Sequence, residues 1–301
     1  MSRMFDRLGW ALAGALALGF VAVVAGAVRA GPLAPPGPPT SSPAVRLPGT
    51  PITQPGSFPI VINQPGSYYL AENITGVSGQ NGIQISSSNV TLDLQGQTLR
   101  GVPGSTSGIV VSGVLENVVI RNGVVTAWGG YGIDANTASH GEIADVISSK
   151  NALAGIRFGL EYSVLRDCQA FGNGDTGATV SGNWNLITRC AFDNNDTQGL
   201  KVSGTTNRVL DNVADGNGSF HTGFWITGTN NAIEHNSAMA NTNYGFWFDA
   251  SSTTANANYA NTNTGGLFNA QYNITNNCID CDIGTITSAG NAPTYWGNVD
   301  R

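Results

Sequence analysis

Gly199-Leu200-Lys201-Val202, Gly223-Phe224-Trp225-Ile226 and Gly245-Phe246-Trp247-Phe248 are three copies of one pattern, a glycine followed by an apolar-x-apolar triplet. Upstream the same pattern reads Gly177-Ala178-Thr179-Val180, Gly155-Ile156-Arg157-Phe158, Gly132-Ile133, Gly108-Ile109-Val110-Val111 and Gly82-Ile83-Gln84-Ile85. Downstream it ends at Gly266-Leu267-Phe268. From Gly82 to Gly266 the spacings are 26, 24, 23, 22, 22, 24, 22 and 21 residues. A period this regular marks a repeat architecture, in which each unit buries its apolar face on its neighbours.

Each unit also holds a second apolar segment and two asparagine-rich turn positions. Val209-Leu210-Asp211-Asn212 is followed by Asn217, and Ile233-Glu234-His235-Asn236 by Asn241. Leu165-Arg166-Asp167-Cys168 with Asn173 and Ile187-Thr188-Arg189-Cys190 with Asn195 are two further copies. Apolar alternation of period two, broken by Gly and Asn, specifies strands and turns rather than helices. The expected fold is an all-β, single-stranded parallel β-helix (solenoid) of about eight to nine coils of roughly 22 residues. Coils would stack about 4.8 Å apart, the strand spacing. Inward Asn side chains would then hydrogen-bond along the stack.

Three stretches carry a family resemblance: QPGSYYLAENITG (64–76), NVTLDLQGQTLRG (89–101) and NVVIRNG (117–123). They resemble the opening of bacterial right-handed parallel β-helix repeat proteins of the pectate-lyase-like superfold, over roughly residues 60–280. The resemblance implies the fold. It does not imply one activity, because that superfold hosts lyases, hydrolases, epimerases, phage spikes and proteins of no assigned activity. The Asp-Asp, Gly-His-Gly and Arg-Ile-Lys signatures of polygalacturonase-like hydrolases do not occur, and His140-Gly141 follows Ser139. The Arg-x-x-Pro-x-x-Arg of pectate lyases and the Asp-Pro-His of alginate epimerases are not seen either.

Composition agrees with a stack of turns. Charged residues are 11% of 301, glycine numbers 40 and asparagine 31. Helical domains carry about 25% charged residues, so helical bundles and doubly wound enzymes are disfavoured. A net charge of −6, with no basic run, argues against nucleic acid as a partner. Arg3 and Arg7 precede an apolar stretch from Leu8 to Val28, and Val28-Arg29-Ala30 offers a small-residue cleavage site. Residues 1–30 therefore read as a signal peptide. The apolar stretch is also long enough to remain as an uncleaved membrane anchor, since about 20 such residues span a bilayer. Residues 31–65 hold 11 of the 13 prolines and read as an extended linker, with the β-helix and its end caps over 66–301.

Three stripes are candidates for chemistry. The first precedes the Asn/Cys turn: Asp145, Asp167, Arg189, Asp211 and His235, with Arg166 and Glu234 one residue earlier. Asp167, Arg189, Asp211 and His235 form a candidate catalytic set, because glycan hydrolysis needs paired carboxylates and a lyase needs a base. A surface salt-bridge ladder is the alternative for the same residues. The second stripe is the outward residue of each triplet, which includes Arg157, Lys201, Trp225 and Trp247. Two exposed indoles beside cations suit stacking on sugar rings, and a covering loop or subunit is the alternative. The third comprises Asp175, Asp196 and His221 in loops, where Ca²⁺ is a candidate ion and Asx-turn chemistry the alternative.

The cysteines give no zinc spacing. Cys168 and Cys190 are one coil apart at the same repeat position, within reach of a disulfide or of a reduced stack. Cys278 and Cys281 form a C-x-x-C that reads as a local disulfide in an exported protein. The expected function is that of an exported protein that binds or acts on polysaccharide along its outer face. A non-catalytic structural or adhesive module at the cell surface is the alternative.

Overall fold

A triplet strand buries only one or two side chains, so it gains stability only by pairing with the equivalent triplet of the next coil. The computed structural model describes residues 49–272, apart from 219–221, 252, 257 and 265. It shows that pairing throughout. Ile60–Ile62 and the nine Gly-initiated segments form one ten-stranded parallel sheet. Its register runs Ile133↔Ile156↔Ala178↔Leu200↔Phe224↔Phe246. A second, 17-stranded sheet is made of two parallel ladders. One passes through Val164–Arg166, Leu186–Thr188, Arg208–Leu210 and Ala232–Glu234. The other passes through Gln169–Phe171, Ala191–Asp193, Val213–Asp215 and Ser237–Met239. The fold is therefore the expected all-β parallel solenoid.

From His140 to Ala240 each coil turns at three corners, and a residue with left-handed backbone stands at each. One corner stacks His140, Tyr162, Trp184, Thr206 and Asn230, with φ of 50–59°. The next stacks Asp145, Asp167, Arg189, Asp211 and His235, with φ of 54–57°. The third stacks Lys150, Gly172, Asn194, Gly216 and Ala240, with φ of 52–63°. A single such residue bends an extended chain sharply, and Asn, Asp and Gly adopt it most readily. The residue after each corner points inward.

At the third corner that inward residue is always asparagine between Asn151 and Asn263. Each amide Nδ2 donates to the Oδ1 of the next rung: Asn151 to Asn173 (3.0 Å), Asn173 to Asn195 (2.9 Å), Asn195 to Asn217 (3.0 Å), Asn217 to Asn241 (3.0 Å). Asn195, Asn217 and Asn241 also donate to the carbonyls of Ala170, Phe192 and Ala214. These side chains are 0–1% exposed. Buried amides left unpaired would cost about 1–3 kcal/mol each, and the ladder removes that cost.

The triplet glycine belongs to the same feature. A Cβ placed on Gly199 would stand 2.8 Å from Asn217 Nδ2, from the Gly223 carbonyl oxygen and from Ala214 Cβ. Gly177 and Gly223 meet the next rung's Asn and Gly in the same way. Glycine is thus required by close approach to the asparagine ladder.

The expected linker boundary is corrected at its C-terminal end. Thr50–Ile52 pairs with Gly66–Leu70 and Ile60–Ile62 with Ile83–Ile85, so residues 50–65 belong to the first coil and not to a spacer. Proline is compatible with strands at the end of a sheet, where one edge needs no N–H donor, and Pro51 lies in such a strand. The expected signal peptide, residues 31–48 of the linker and the C-terminal end cap lie outside the described residues.

Candidate functional site

The first stripe is assembled as a column on the second corner, where Asp145, Asp167 and Arg189 are held in ion pairs. Arg189 donates to Asp167 through Nε (2.7 Å) and Nη2 (2.9 Å), a two-pronged ion pair. Arg166 adds Nη1 to Asp167 at 3.0 Å and also pairs with Glu142 and Asp145. The Arg189 hydrogen bond is the main reason that the Asp167 carboxyl is held down at about 2. The same contacts raise both guanidinium groups. Asp211 and His235 follow as exposed residues on the next two rungs. Of the four side chains expected as a catalytic set, Asp167 and Arg189 thus neutralise each other, while Asp211 and His235 stand exposed beyond them.

The second stripe runs as expected along the outer face of the triplet sheet. Asp134↔Arg157↔Thr179↔Lys201↔Trp225↔Trp247 are successive register partners. The indoles are half-buried rather than largely exposed. Lys201 Nζ lies 4.3 Å from the Trp225 ring centroid, and Trp225 and Trp247 are 6.3 Å apart with planes at 49°. Tyr244 meets Trp247 edge-on at 5.8 Å. The Trp225 Nε1 is buried without a partner. Arg157 stands 4.8 Å from the Tyr131 ring and pairs with Asp134 at 3.4 Å.

A third feature was not in the expected set. His140, Tyr162 and Trp184 stack along the first corner, with centroids 5.2 and 5.0 Å apart and planes within 24° and 4°. Tyr162 is 50% exposed and Trp184 45%. The spacing of 22 residues was present in the sequence, but three different residue types at a corner do not form an apolar pattern. A groove next to Trp184 is lined by Leu186, Thr206, Arg208, Asn230 and Ala232, among others.

The remaining candidates divide. Asp175 accepts a hydrogen bond from Thr197 Oγ1 at 2.9 Å, while the Asp196 N–H donates to the Asn173 carbonyl, as turn chemistry would have it. Among the described residues no cluster of three His, Cys, Asp or Glu converges. His221, Cys278 and Cys281 lie outside the described residues. Cys168 and Cys190 are both free and buried, so the disulfide alternative is not the one present. They occupy the rungs before Asn212 and Asn236, and their thiols face the carbonyls of Ile143 and Leu165. Asn212 and Asn236 make the equivalent contacts to Ile187 and Val209. Contact with Cys190, then burial, pushes the Cys168 thiol well up.

The sequence matches the family model for a right handed beta helix region over residues 73–227. Among solved structures the chain is similar to the A-module of the mannuronan C-5 epimerase AlgE6 of Azotobacter vinelandii, at 17% identity and a TM-score of 0.54, covering 80% of this chain and 74% of that one. It is similar to the periplasmic alginate epimerase AlgG at 13% identity and a TM-score of 0.52, covering 76% and 70%. It is also similar to the Dettilon tailspike protein gp208 at 12% identity and a TM-score of 0.54, covering 71% and 47%. The chain spans about half the length of that tailspike. No curated protein sequence matches. At these identities the likeness is one of fold.

Proposed function

Since the chain belongs to the right-handed β-helix family, we propose that it is an exported solenoid that binds polysaccharide on the outer face of the triplet sheet. The observation that carries this reading is the run Lys201-Trp225-Trp247, in which a cation and two indoles occupy three consecutive rungs. Flat rings next to a hydrogen-bonding cation suit the apolar face and the hydroxyl edge of a sugar. Arg157 extends the same row toward the N-terminal coils. Export rests on the charged, apolar and small-residue segments of residues 1–30.

The proposal is of binding, and Asp167 has no part in it as a general acid. A glycosidase needs one carboxyl group that is protonated near neutral pH. Asp167 is held in the opposite direction, at about 2, by Arg189. No Ca²⁺ dependence is built into this reading.

A glycan array tests it. Binding is expected to fall at least about tenfold in the Trp225→Ala, Trp247→Ala double variant, and less in Lys201→Gln, which keeps both indoles. Unchanged glycan binding by the double variant would overturn the reading. Melting curves separate lost binding from lost fold.

A further inference from the structure

We propose that the rung at Thr206 is a slot for the ring of a negatively charged sugar, which stacks on Trp184 and pairs with Arg208. The slot lies on a corner, apart from the triplet face, and does not depend on the reading given above.

The corner backbone is the same at Trp184, Thr206 and Asn230, with φ of 55°, 59° and 55°. Their side chains therefore leave the coil in the same direction, one rung apart. On the N-terminal side each rung carries a ring, and His140, Tyr162 and Trp184 stack at 5.0–5.2 Å. At Thr206 the series of rings stops. Tyr162 covers one face of the Trp184 indole, and the other faces the position that a fourth ring would take. The groove lined by Trp184, Leu186, Thr206, Arg208, Asn230 and Ala232 occupies that position.

The chemistry of the lining selects the ligand. Trp184, Leu186 and Ala232 supply apolar surface for the C–H face of a pyranose. Thr206 and Asn230 supply short polar groups that match hydroxyls. Arg208 is the single charged side chain in the lining, and it makes no ion pair among the described residues. An exposed guanidinium without a carboxylate suits a carboxylate or a sulfate, which it binds through paired N–H groups.

Calorimetric titration of the full chain provides the test, with three probes: a glucuronate trimer, a 6-sulfated glucose trimer and the neutral glucose trimer. The expected result is that at least one anionic trimer binds at least about tenfold tighter than the neutral one. Binding of both assigns the slot to negative charge in general, and binding of one assigns it to that group. Thr206→Trp fills the slot with a ring of the chain's own and is expected to abolish binding without lowering the melting temperature, since Trp184 already holds the same backbone angle. Arg208→Gln is expected to bring the anionic trimers down to the neutral level. The Trp225→Ala, Trp247→Ala double variant is expected to keep this binding, which separates the slot from the triplet face. The proposal fails if no anionic trimer binds, if the neutral trimer binds equally well, or if binding survives Thr206→Trp. It also fails if indole-3-acetate binds this groove more tightly than any of the sugars, since the occupant would then be an aromatic carboxylate.

Discussion

Asp167 accepts two hydrogen bonds from Arg189 and one from Arg166, and these hold its carboxyl at about 2. A carboxylate depressed in the folded state stabilises the fold above its unfolded value, near 3.8, and loses that contribution as pH falls through about 2. Arg189→Gln is expected to raise the Asp167 midpoint toward 3.8 in a carboxyl NMR titration; an unmoved midpoint would assign the depression to Arg166. Asp193 behaves in the opposite sense. Burial raises its carboxyl, Asp215 on the next rung adds repulsion, and the Asp215 N–H donates to it at 3.2 Å. A raised carboxyl favours the fold while protonated, and that advantage is lost as pH rises from about 3.8 through the folded value. Asp193→Asn keeps an acceptor for the Asp215 N–H and removes the charge. It is expected to raise the melting temperature at pH 7 by roughly 1–3 °C, with the gain vanishing below about pH 3. An equal gain at both pH values would show that charge is not the cause.

At the scale of elements, the corner and the ladder behind it decide what each position tolerates. The Asn217 side chain accepts from the N–H and Nδ2 of Asn195, and donates to Asn241 and to the Phe192 carbonyl. Asn217→Ala leaves several buried groups unpaired at once and is expected to cost roughly 3 kcal/mol or more in denaturant unfolding. Cys190→Asn, by contrast, extends the second-corner amide series of Asn212 and Asn236 by one rung and is expected to be better tolerated than Cys190→Ala; the reverse order would show that the thiol is held for its packing alone. The asparagines that follow the first corner, Asn185, Asn207 and Asn231, show where such pairing stops. Asn207 and Asn231 donate to the carbonyls of Gly182 and Gly204, but the Leu160 carbonyl that corresponds for Asn185 is taken by the Asn183 N–H. Asn185 Nδ2 is left buried without a partner. Much of this was legible in advance. The triplets gave the strands, their parity gave the outward row from Arg157 to Trp247, and paired Asn positions gave two of the turns. The glycine–asparagine contact was not legible, because Gly199 and Asn217 are 18 residues apart and meet only after the coils stack. The aromatic corner was hidden for a related reason: a corner residue is selected by its backbone angle, which His, Tyr, Trp and Thr satisfy without sharing any hydropathy.

Across the whole molecule, neighbouring rungs must keep nearly the same cross-section, and this couples faces that are far apart in sequence. Inward positions of the triplet sheet read Ile156, Ala178, Leu200, Phe224 and Phe246. In the same coils the last ladder reads Ala170, Phe192, Ala214, Ala238 and Ala260. Of these five coils, the one with alanine at this triplet position carries phenylalanine on the last ladder, and the other four reverse the choice. All ten side chains are 0–2% exposed. Interiors are packed at crystal-like density, so the sum of the two volumes is what the stack conserves. Low charge follows from the same stacking, because like residues recur one strand spacing apart and charges of one sign would repel. Phe192→Ala alone opens a cavity and is expected to cost about 3–5 kcal/mol. Ala178→Phe alone overpacks the same coil and is expected to cost about 1–3 kcal/mol. Combined, the two substitutions move the ring to the opposite sheet, in line with Phe224 and Phe246, and restore the volume. The double variant is therefore expected to be more stable than the sum of the single costs by at least about 1 kcal/mol. Denaturant melts of the three variants measure that coupling, and strictly additive losses would show that each face packs independently of the one across the core.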